Sequence, residues 1–448
     1  MRFYNREAEL QSLENIISAK GHALIVISGR RRVGKTRLVD EFLRRYPALR
    51  IMIVPKEERQ VASDFSDIYG NKGFKPSLAT VKASLEYFFA VEDTRILFID
   101  EFSNFLEVNK SIPYELQRLW DENQEKNKIL ILSGSYVRMM NRIFTEQKAP
   151  LFNRATLKIL LDPLGHNVIW DILTDMHVQD PREKILLYCI FGGIPYYYEV
   201  MERLGSRNPV QELFFNPGTL SEEGQDLLRQ EFGSGYRKYF SILDAVGSGL
   251  ASPSEIANKL GLKQTTISKY IYALQNDFKL LVRQVPFTEN PRRSKKGRYF
   301  IADNTLAFWF SHVYGRSTPP TVEEINTFVG KRFEVLCLAF LERWLIRKGE
   351  RVLKKGKWWG PVKTSSGTYE QREIDLVIET ERTIYAAECK WTSDAMGKNE
   401  IIRLRESALG LNAKKPLRMV LFAKNGFTIK ESEDVLLFTP DAIVNCPA

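Results

Sequence analysis

Short, uninterrupted apolar runs recur along the first third of the chain, separated by stretches whose apolar residues stand three and four apart. Ala23-Leu24-Ile25-Val26-Ile27-Ser28, Ile51-Met52-Ile53-Val54, Arg95 to Glu101, Ile129 to Ser135 and Thr156 to Leu161 read as strands buried on both faces. Strands of that kind belong to a sheet covered by helices on either side. Leu10, Leu13, Ile16 and Ile17 predict an amphipathic helix within residues 3–19, and further helices are predicted over Lys35 to Arg45 and Leu78 to Phe89. From Pro163 to about Gly235 the period is helical, interrupted at Phe191-Gly192-Gly193-Ile194-Pro195, where the glycines and the proline end one helix and start another.

The pattern changes near Tyr236. Helical runs over Tyr239 to Val246, Ser254 to Leu260 and Gln264 to Leu274, with Gly261-Leu262 between the last two, have the order of a helix-turn-helix. Gln264, Thr265, Thr266, Ser268 and Lys269 open its last helix and are residue types that read base edges or hold phosphates. Leu280 to Val285 and Tyr299 to Ala302 frame a β-wing whose tip carries Arg292, Arg293, Lys295, Lys296 and Arg298. A winged helix also serves elsewhere as a protein-docking module, so DNA and a protein partner both stand as expectations. Ser317-Thr318-Pro319-Pro320 reads as a linker, followed by a helix from Gly330 to Ile346 and two apolar strands over Ile374 to Ile378 and Thr383 to Trp391.

Chemistry enters at the end of the first strand. Gly29-Arg30-Arg31-Arg32-Val33-Gly34-Lys35-Thr36 fits G-x-x-x-x-G-K-[S/T] between a buried strand and a helix. The glycines let backbone N–H groups turn onto phosphate oxygens at a positive helix end. The expected nucleotide contacts are Gly29, Arg32, Val33, Gly34, Lys35, Thr36 and Arg37, with Lys35 on the β and γ phosphates and Thr36 on Mg²⁺. The later strand Phe98-Ile99-Asp100-Glu101 ends in two acids: Asp100 is expected at Mg²⁺ or its water, and Glu101 as the general base toward the attacking water. A strand interposed between the two motifs points to the additional-strand class of P-loop ATPases. Ser133 or Ser135 would sense the γ phosphate, and Arg154 would supply transition-state charge in cis or to a neighbouring subunit of a homo-oligomer, or else be a surface arginine.

In the C-terminal part, Asp375 on one strand and Glu388-x-Lys390 on the next bring three polar side chains to an otherwise apolar hairpin; Glu388 and Lys390 share a face because the strand period is two. Two carboxylates can hold Mg²⁺ while the lysine orients or deprotonates water. The constellation resembles the PD-(D/E)xK nuclease superfamily. That resemblance makes Glu334 the helical acid, assigns Asp375, Glu388 and Lys390 as catalytic, and gives Glu334, Asp375 and Glu388 to the metal. Glu373-Ile374-Asp375 departs from the usual proline before the metal aspartate. A nuclease-like fold that binds DNA without cutting it is the alternative.

Composition narrows this picture. The 448 residues exceed one core, and at roughly 150 residues per domain suggest about three units. No apolar run reaches the roughly 18 residues that span a bilayer, and the opening residues lack an export signal's apolar core, so a cytoplasmic protein without a membrane partner is expected. Cys189, Cys337, Cys389 and Cys446 form no C-x-x-C pair, and the histidines are scattered, which argues against zinc or a disulfide framework. A net charge of +10 leans toward a polyanionic partner.

Over its whole length the chain resembles a prokaryotic, especially archaeal, family of P-loop ATPases with a C-terminal DUF234 domain. The residues that carry this are Phe3-Tyr4-Asn5-Arg6-Glu7-Ala8-Glu9-Leu10, Gly29 to Thr36, Phe98 to Glu101, Ser133-Gly134-Ser135, Gly192-Gly193-Ile194-Pro195 and Glu388-Cys389-Lys390-Trp391. Gly193-Ile194-Pro195 resembles the Gly-x-Pro of the STAND signalling ATPases, whereas Asn153 stands where glycine more often precedes the arginine. The expected fold class is therefore α/β: a P-loop NTPase parallel sheet (1–165) with a helical lid (166–235), a winged helix-turn-helix (236–316) and a restriction-endonuclease-like α/β domain (321–448). The expected function is an ATP- and Mg²⁺-dependent switch that directs DNA binding and a Mg²⁺-dependent nuclease. The alternative is a STAND-like signalling switch with a non-catalytic nuclease-like domain.

Overall fold

Strands β1 (Ala23–Ser28), β2 (Ala48–Met52), β3 (Ile96–Asp100), β4 (Ile129–Gly134) and β5 (Leu157–Leu160) form one sheet in the order β2-β3-β4-β1-β5. The structure is a computed structural model that describes residues 1–19, 21–71, 75–205, 208–216, 220–232, 235–363 and 367–446. Every neighbouring pair in the sheet is parallel. β4 lies between β1 and β3, so the strand that ends in Asp100 is separated from the strand that enters the phosphate loop by one strand, while β2, the strand that comes between the two motifs in sequence, lies at the edge of the sheet. Leu24 and Val26 on β1, Leu97 and Ile99 on β3, and Leu130 and Leu132 on β4 face one layer of helices and share a core with Phe65, Phe88, Phe102, Leu116 and Trp120. With nearly continuous apolar sequence, each central strand is buried on both faces, and helices cover them. The strand ends therefore leave Ser28, Asp100 and Gly134 at one edge, where ligands of open parallel sheets bind.

The chain divides into two compact units. Residues 1–164 with 194–199 make the first, and residues 165–193 with 200–448 the second. In the second unit, helices Pro181–Phe191 and Pro209–Phe214 meet through stacked Phe191 and Phe214 rings, 5.5 Å apart. Helices Tyr236–Gly247, Pro253–Lys259 and Gln264–Asn276 follow, the middle one opened by a capping box of Ser252 and Glu255. Gly261, at φ +62°, takes the left-handed turn before Gln264. Antiparallel β6 (Leu281–Gln284) and β7 (Arg298–Ile301) complete a helix-turn-helix-hairpin sequence.

The long helix Val322–Arg347 starts eight residues earlier than the sequence suggests, because Thr321 and Glu324 form a capping box directly after the linker prolines. It packs on a mixed sheet of β8 (Val352–Lys363), β9 (Tyr369–Thr380), β10 (Ile384–Lys390), β11 (Leu417–Ala423) and β12 (Val435–Phe438), in the order β12-β11-β10-β9-β8. β8, β9 and β10 are antiparallel, while β10, β11 and β12 are parallel. Edge strand β8 carries lysines and Pro361 and shifts register between Gly356 and Trp358, devices that keep an edge from pairing with another chain.

One buried side chain makes the second unit sensitive to acid. His166 is buried against Trp170 and Tyr188, and this burial, with the Arg343 guanidinium adding to it, pushes its pKa down to about 4. A histidine whose folded value lies below its unfolded one gives stability that is complete above about pH 6.5 and lost as pH falls through 4. The contribution is on the order of 3 kcal/mol. Denaturant unfolding of the second unit at pH 7 and pH 4.5 should show this loss, and His166→Phe, which keeps a ring beside Trp170, should flatten the slope across that window.

Candidate functional site

Backbone conformation sets the phosphate loop first. A Cβ on Gly29 would sit 2.6 Å from the Leu161 carbonyl, so only glycine lets β1 turn under the strand beside it. Gly34 adopts φ +98° and opens helix Lys35–Leu43; Arg32, at φ +67°, is left-handed too. This geometry folds the loop over the helix N-terminus. Lys35 is buried, its Nζ donating to the Gly29 and Arg30 carbonyls at 3.0 Å and to Ser135 Oγ at 2.8 Å. The ammonium is thus satisfied by two loop carbonyls and the Ser135 hydroxyl.

The two acids are held differently. Asp100 is buried, accepts from Thr36 Oγ1 at 2.7 Å, and also accepts from Ser133 Oγ. Thr36 and Asp100 form a pair of hard oxygens at the spacing Mg²⁺ or its waters would bridge, so the donors fit that ion. Glu101 departs from the strand at φ +52°, and its carboxylate accepts from the Ser135 N–H at 3.0 Å and from the Ser135 hydroxyl. Ser135 therefore ties the lysine and the glutamate to one hydroxyl. Ser133, fully buried beneath Asp100, orients that carboxylate, while Ser135 faces the cavity.

That cavity, of about 320 Å³, is lined by Arg32, Val33, Gly34, Lys35, Thr36, Arg37, Glu101 and Ser135 on one side. Met1, Arg2, Phe3, Tyr4 and Arg6 contribute from the N-terminal segment, with Leu164, Pro195, Tyr196 and Glu199 completing the wall. Arg6 anchors the segment: it pairs with Glu9 at 3.0 Å and donates to the Asp162 carbonyl. Arg32 stacks on Tyr196, its guanidinium 4.1 Å from the ring centre, a contact that motif spacing gives no hint of. Arg154 is not brought to this cavity. Its guanidinium makes a bidentate pair with Asp121 at 2.8 and 2.7 Å, which raises its pKa.

The C-terminal acids also converge. Cys389 N donates to Asp375 Oδ2 at 2.9 Å, which fixes β9 against β10, and Lys390 pairs with Glu388 at 2.7 Å on the shared face. Burial first, and then the Asp375 charge, raises Glu334 to about 7 and raises Glu388 as well. Lys357, unremarked in the sequence, enters from the register shift on β8, its Nζ 2.8 Å from Glu334, 2.7 Å from Glu373 and 3.5 Å from Asp375. Burial would lower the lysine's pKa, but Glu334 and Asp375 outweigh it and hold the ammonium above its ordinary range. Glu334, Asp375 and Glu388 are the oxygen donors Mg²⁺ prefers. Among the described residues, however, no three Asp, Glu, His or Cys side chains are arranged to share a metal ion, and an ammonium lies among these acids. The arrangement as it stands does not fit a bound cation.

At the β6–β7 hairpin the five predicted cations separate into two groups. Lys296 pairs with Glu289 at 2.7 Å, and Arg298 lies 3.7 Å from Glu373 and over the Trp359 ring. Arg292, Arg293 and Lys295 are exposed, and among the described residues no acid lies within ion-pair distance of them. No described helix is long and apolar enough to cross a membrane.

Residues 3–201 match the model of an ATPase domain found predominantly in Archaea, and residues 314–402 match DUF234, a domain of archaeal and bacterial proteins of unknown function. An uncharacterized protein of Methanocaldococcus jannaschii is 28% identical over 403 residues, 87% of either chain. The Walker-type ATPase of Pyrococcus abyssi resembles the structure with a TM-score of 0.52 and 20% identity, covering 69% of this chain and 96% of that one. That likeness is one of fold.

Proposed function

From a chain that joins an ATPase domain of the predominantly archaeal family to a DUF234 domain, we propose an ATP-driven, DNA-directed switch whose C-terminal acid cluster is a phosphodiesterase centre. The observation that carries the first half is the shared hydroxyl of Ser135, which holds Lys35 and Glu101 together at the phosphate loop. ATP entering the cavity offers Lys35 phosphate oxygens in place of the Gly29 and Arg30 carbonyls. Once Lys35 moves onto phosphate, Ser135 loses one of its partners and Glu101 can turn to water as the base. Thr36 and Asp100 would hold Mg²⁺, which supplies charge neutralisation to the phosphates.

DNA binding rests on the helix-turn-helix-hairpin order, on the exposed Gln264, Thr265 and Lys269 at the start of its last helix, and on the unpaired cations of the hairpin. Phosphodiesterase chemistry rests on Glu334, Glu388 and Lys390 gathering around Asp375 of β9. Incubating the protein with ATP, Mg²⁺ and plasmid or linear DNA tests it. Cleavage that Asp375→Ala and Lys390→Ala each reduce by at least about a hundredfold is the expected result; no cleavage, or cleavage indifferent to both changes, ends the nuclease reading. Lys357 among the acids favours a second reading, a nucleotide-dependent switch that binds DNA or a protein through a non-catalytic domain. DNA retained with undiminished salt dependence but never cut is its signature.

A further inference from the structure

Strands β8 and β9 run past the rest of their sheet. β9 pairs with β10 only from Leu376 to Glu379, so its earlier residues, from Tyr369 on, have β8 as their strand neighbour among the described residues and form with it a two-stranded arm. A two-stranded ribbon is marginal on its own, and one face of this arm is held down. Trp358 is buried against Gly410, where a Cβ would come within 2.2 Å of the ring, Val362 is buried, and Arg372 reaches Glu406 of helix Lys398–Ala408 at 3.3 Å. On the other face Trp359 stands opposite Glu373, Pro361 opposite Gln371 and Lys363 opposite Tyr369, since directly opposed residues of an antiparallel pair share a face. Pro361, Lys363, Tyr369 and Gln371 are all exposed there, Tyr369 by 71%.

This open face carries an aromatic ring beside a cation at each end. At the inner end the Arg298 guanidinium lies over Trp359, 4.5 Å from its ring centre, with 41% of the arginine side chain still exposed. At the outer end Lys363 stands across from Tyr369, and among the described residues no acid lies within ion-pair distance of that lysine. Along the strand Trp359 and Lys363 are about 13 Å apart, the length of about four stacked bases. The arm is also joined to the cationic hairpin: Phe287 N donates to the Lys357 carbonyl at 2.8 Å, and Trp358 Nε1 donates to Thr288 Oγ1 at 3.2 Å, just before the loop that bears Arg292, Arg293 and Lys295. A duplex keeps its base faces stacked inside and offers a protein phosphates and groove edges. Exposed rings and guanidinium planes find base faces where the strand is unpaired.

We propose that the open face of the β8–β9 arm binds an unpaired DNA strand, with one base stacked on Tyr369, another on the exposed side of the Arg298 guanidinium above Trp359, and Lys363 on a phosphate beside them. The inference rests on the DNA-directed reading of the helix-turn-helix and its hairpin, and it names the form of DNA: a duplex held by the hairpin cations that continues as a single strand along the arm.

The test compares a blunt duplex with the same duplex carrying a single-stranded overhang of about six nucleotides, at either strand end, by fluorescence anisotropy on the full chain. One of the two overhang polarities should bind about tenfold tighter than the blunt duplex. Tyr369→Ala should remove most of that advantage and leave blunt-duplex binding within about twofold of wild type, while Tyr369→Phe, which keeps the ring, should retain it. A 2-aminopurine in the overhang should lose fluorescence on binding wild type and keep it on binding Tyr369→Ala, and the exposed position of the side chain should leave thermal melting unchanged. Equal binding of blunt and overhang duplexes, or an advantage that Tyr369→Ala retains, overturns the inference and leaves the DNA-directed reading standing. If neither duplex binds, that reading fails and the inference with it. A wild-type dimer that Tyr369→Ala turns into a monomer, without overhang preference in either, gives this face to a second copy of the chain instead.

Discussion

Glu101→Gln is expected to lower the turnover number for ATP by about two to four orders of magnitude while leaving nucleotide affinity within a few-fold of wild type. Glu101 lies at the cavity wall, one residue beyond the acid that Thr36 contacts, and its carboxylate accepts from both the Ser135 N–H and the Ser135 hydroxyl. The amide keeps the side chain's length and can still accept from one of those donors, but it cannot take a proton from water. Lys35→Ala should behave differently. Its ammonium meets the Gly29 and Arg30 carbonyls and Ser135 Oγ, so its loss removes the charge that would bind phosphate and also takes a donor from the buried Gly29 carbonyl. Phosphate release measured beside equilibrium binding of a fluorescent ATP analogue separates the two: Glu101→Gln binds without turning over, and Lys35→Ala does neither. Full turnover by Glu101→Gln would remove Glu101 from the role of base.

The phosphate loop was readable from residue types because its chemistry demands them. Gly29 and Gly34 stand where a Cβ would collide with a carbonyl or where φ is +98°, and Asp100 follows four apolar residues because a buried strand must end to present it. The strand that carries Lys357 was not readable, for an equally physical reason. Val352–Lys363 is an edge strand, its lysines and Pro361 mask the two-residue alternation, and the register shift beside Lys357 breaks whatever period remains. Ion-pair partners also lie beyond a linear reading: the hairpin cations look unopposed between residues 292 and 298, yet Glu289 and Glu373 reach Lys296 and Arg298 from outside that window. The start of the long helix was hidden by Pro319 and Pro320, which read as a linker and end one residue before its cap.

Those pairings decide which hairpin charges matter for nucleic acid. Arg292, Arg293 and Lys295 are exposed without an acid at ion-pair distance among the described residues, so a phosphate meets their full charge. Lys296 must first leave Glu289, and Arg298 must leave both Glu373 and the face of Trp359. Replacing Arg292, Arg293 and Lys295 together by alanine should therefore weaken duplex binding by about a hundredfold near physiological salt and flatten the log–log salt dependence by about two to three. Lys296→Ala should change the slope by clearly less than one, since the charge it removes is already opposed. Fluorescence anisotropy of a labelled duplex from 50 to 300 mM salt, a range of roughly one decade in which counterion release is steep, reads both quantities. A triple variant with the wild-type slope would place the phosphate contacts elsewhere, and a wild-type protein with no slope would favour a protein partner. The larger loss should come from the residues that look least engaged in the folded chain, because a charge with no internal partner gives up nothing when it meets phosphate.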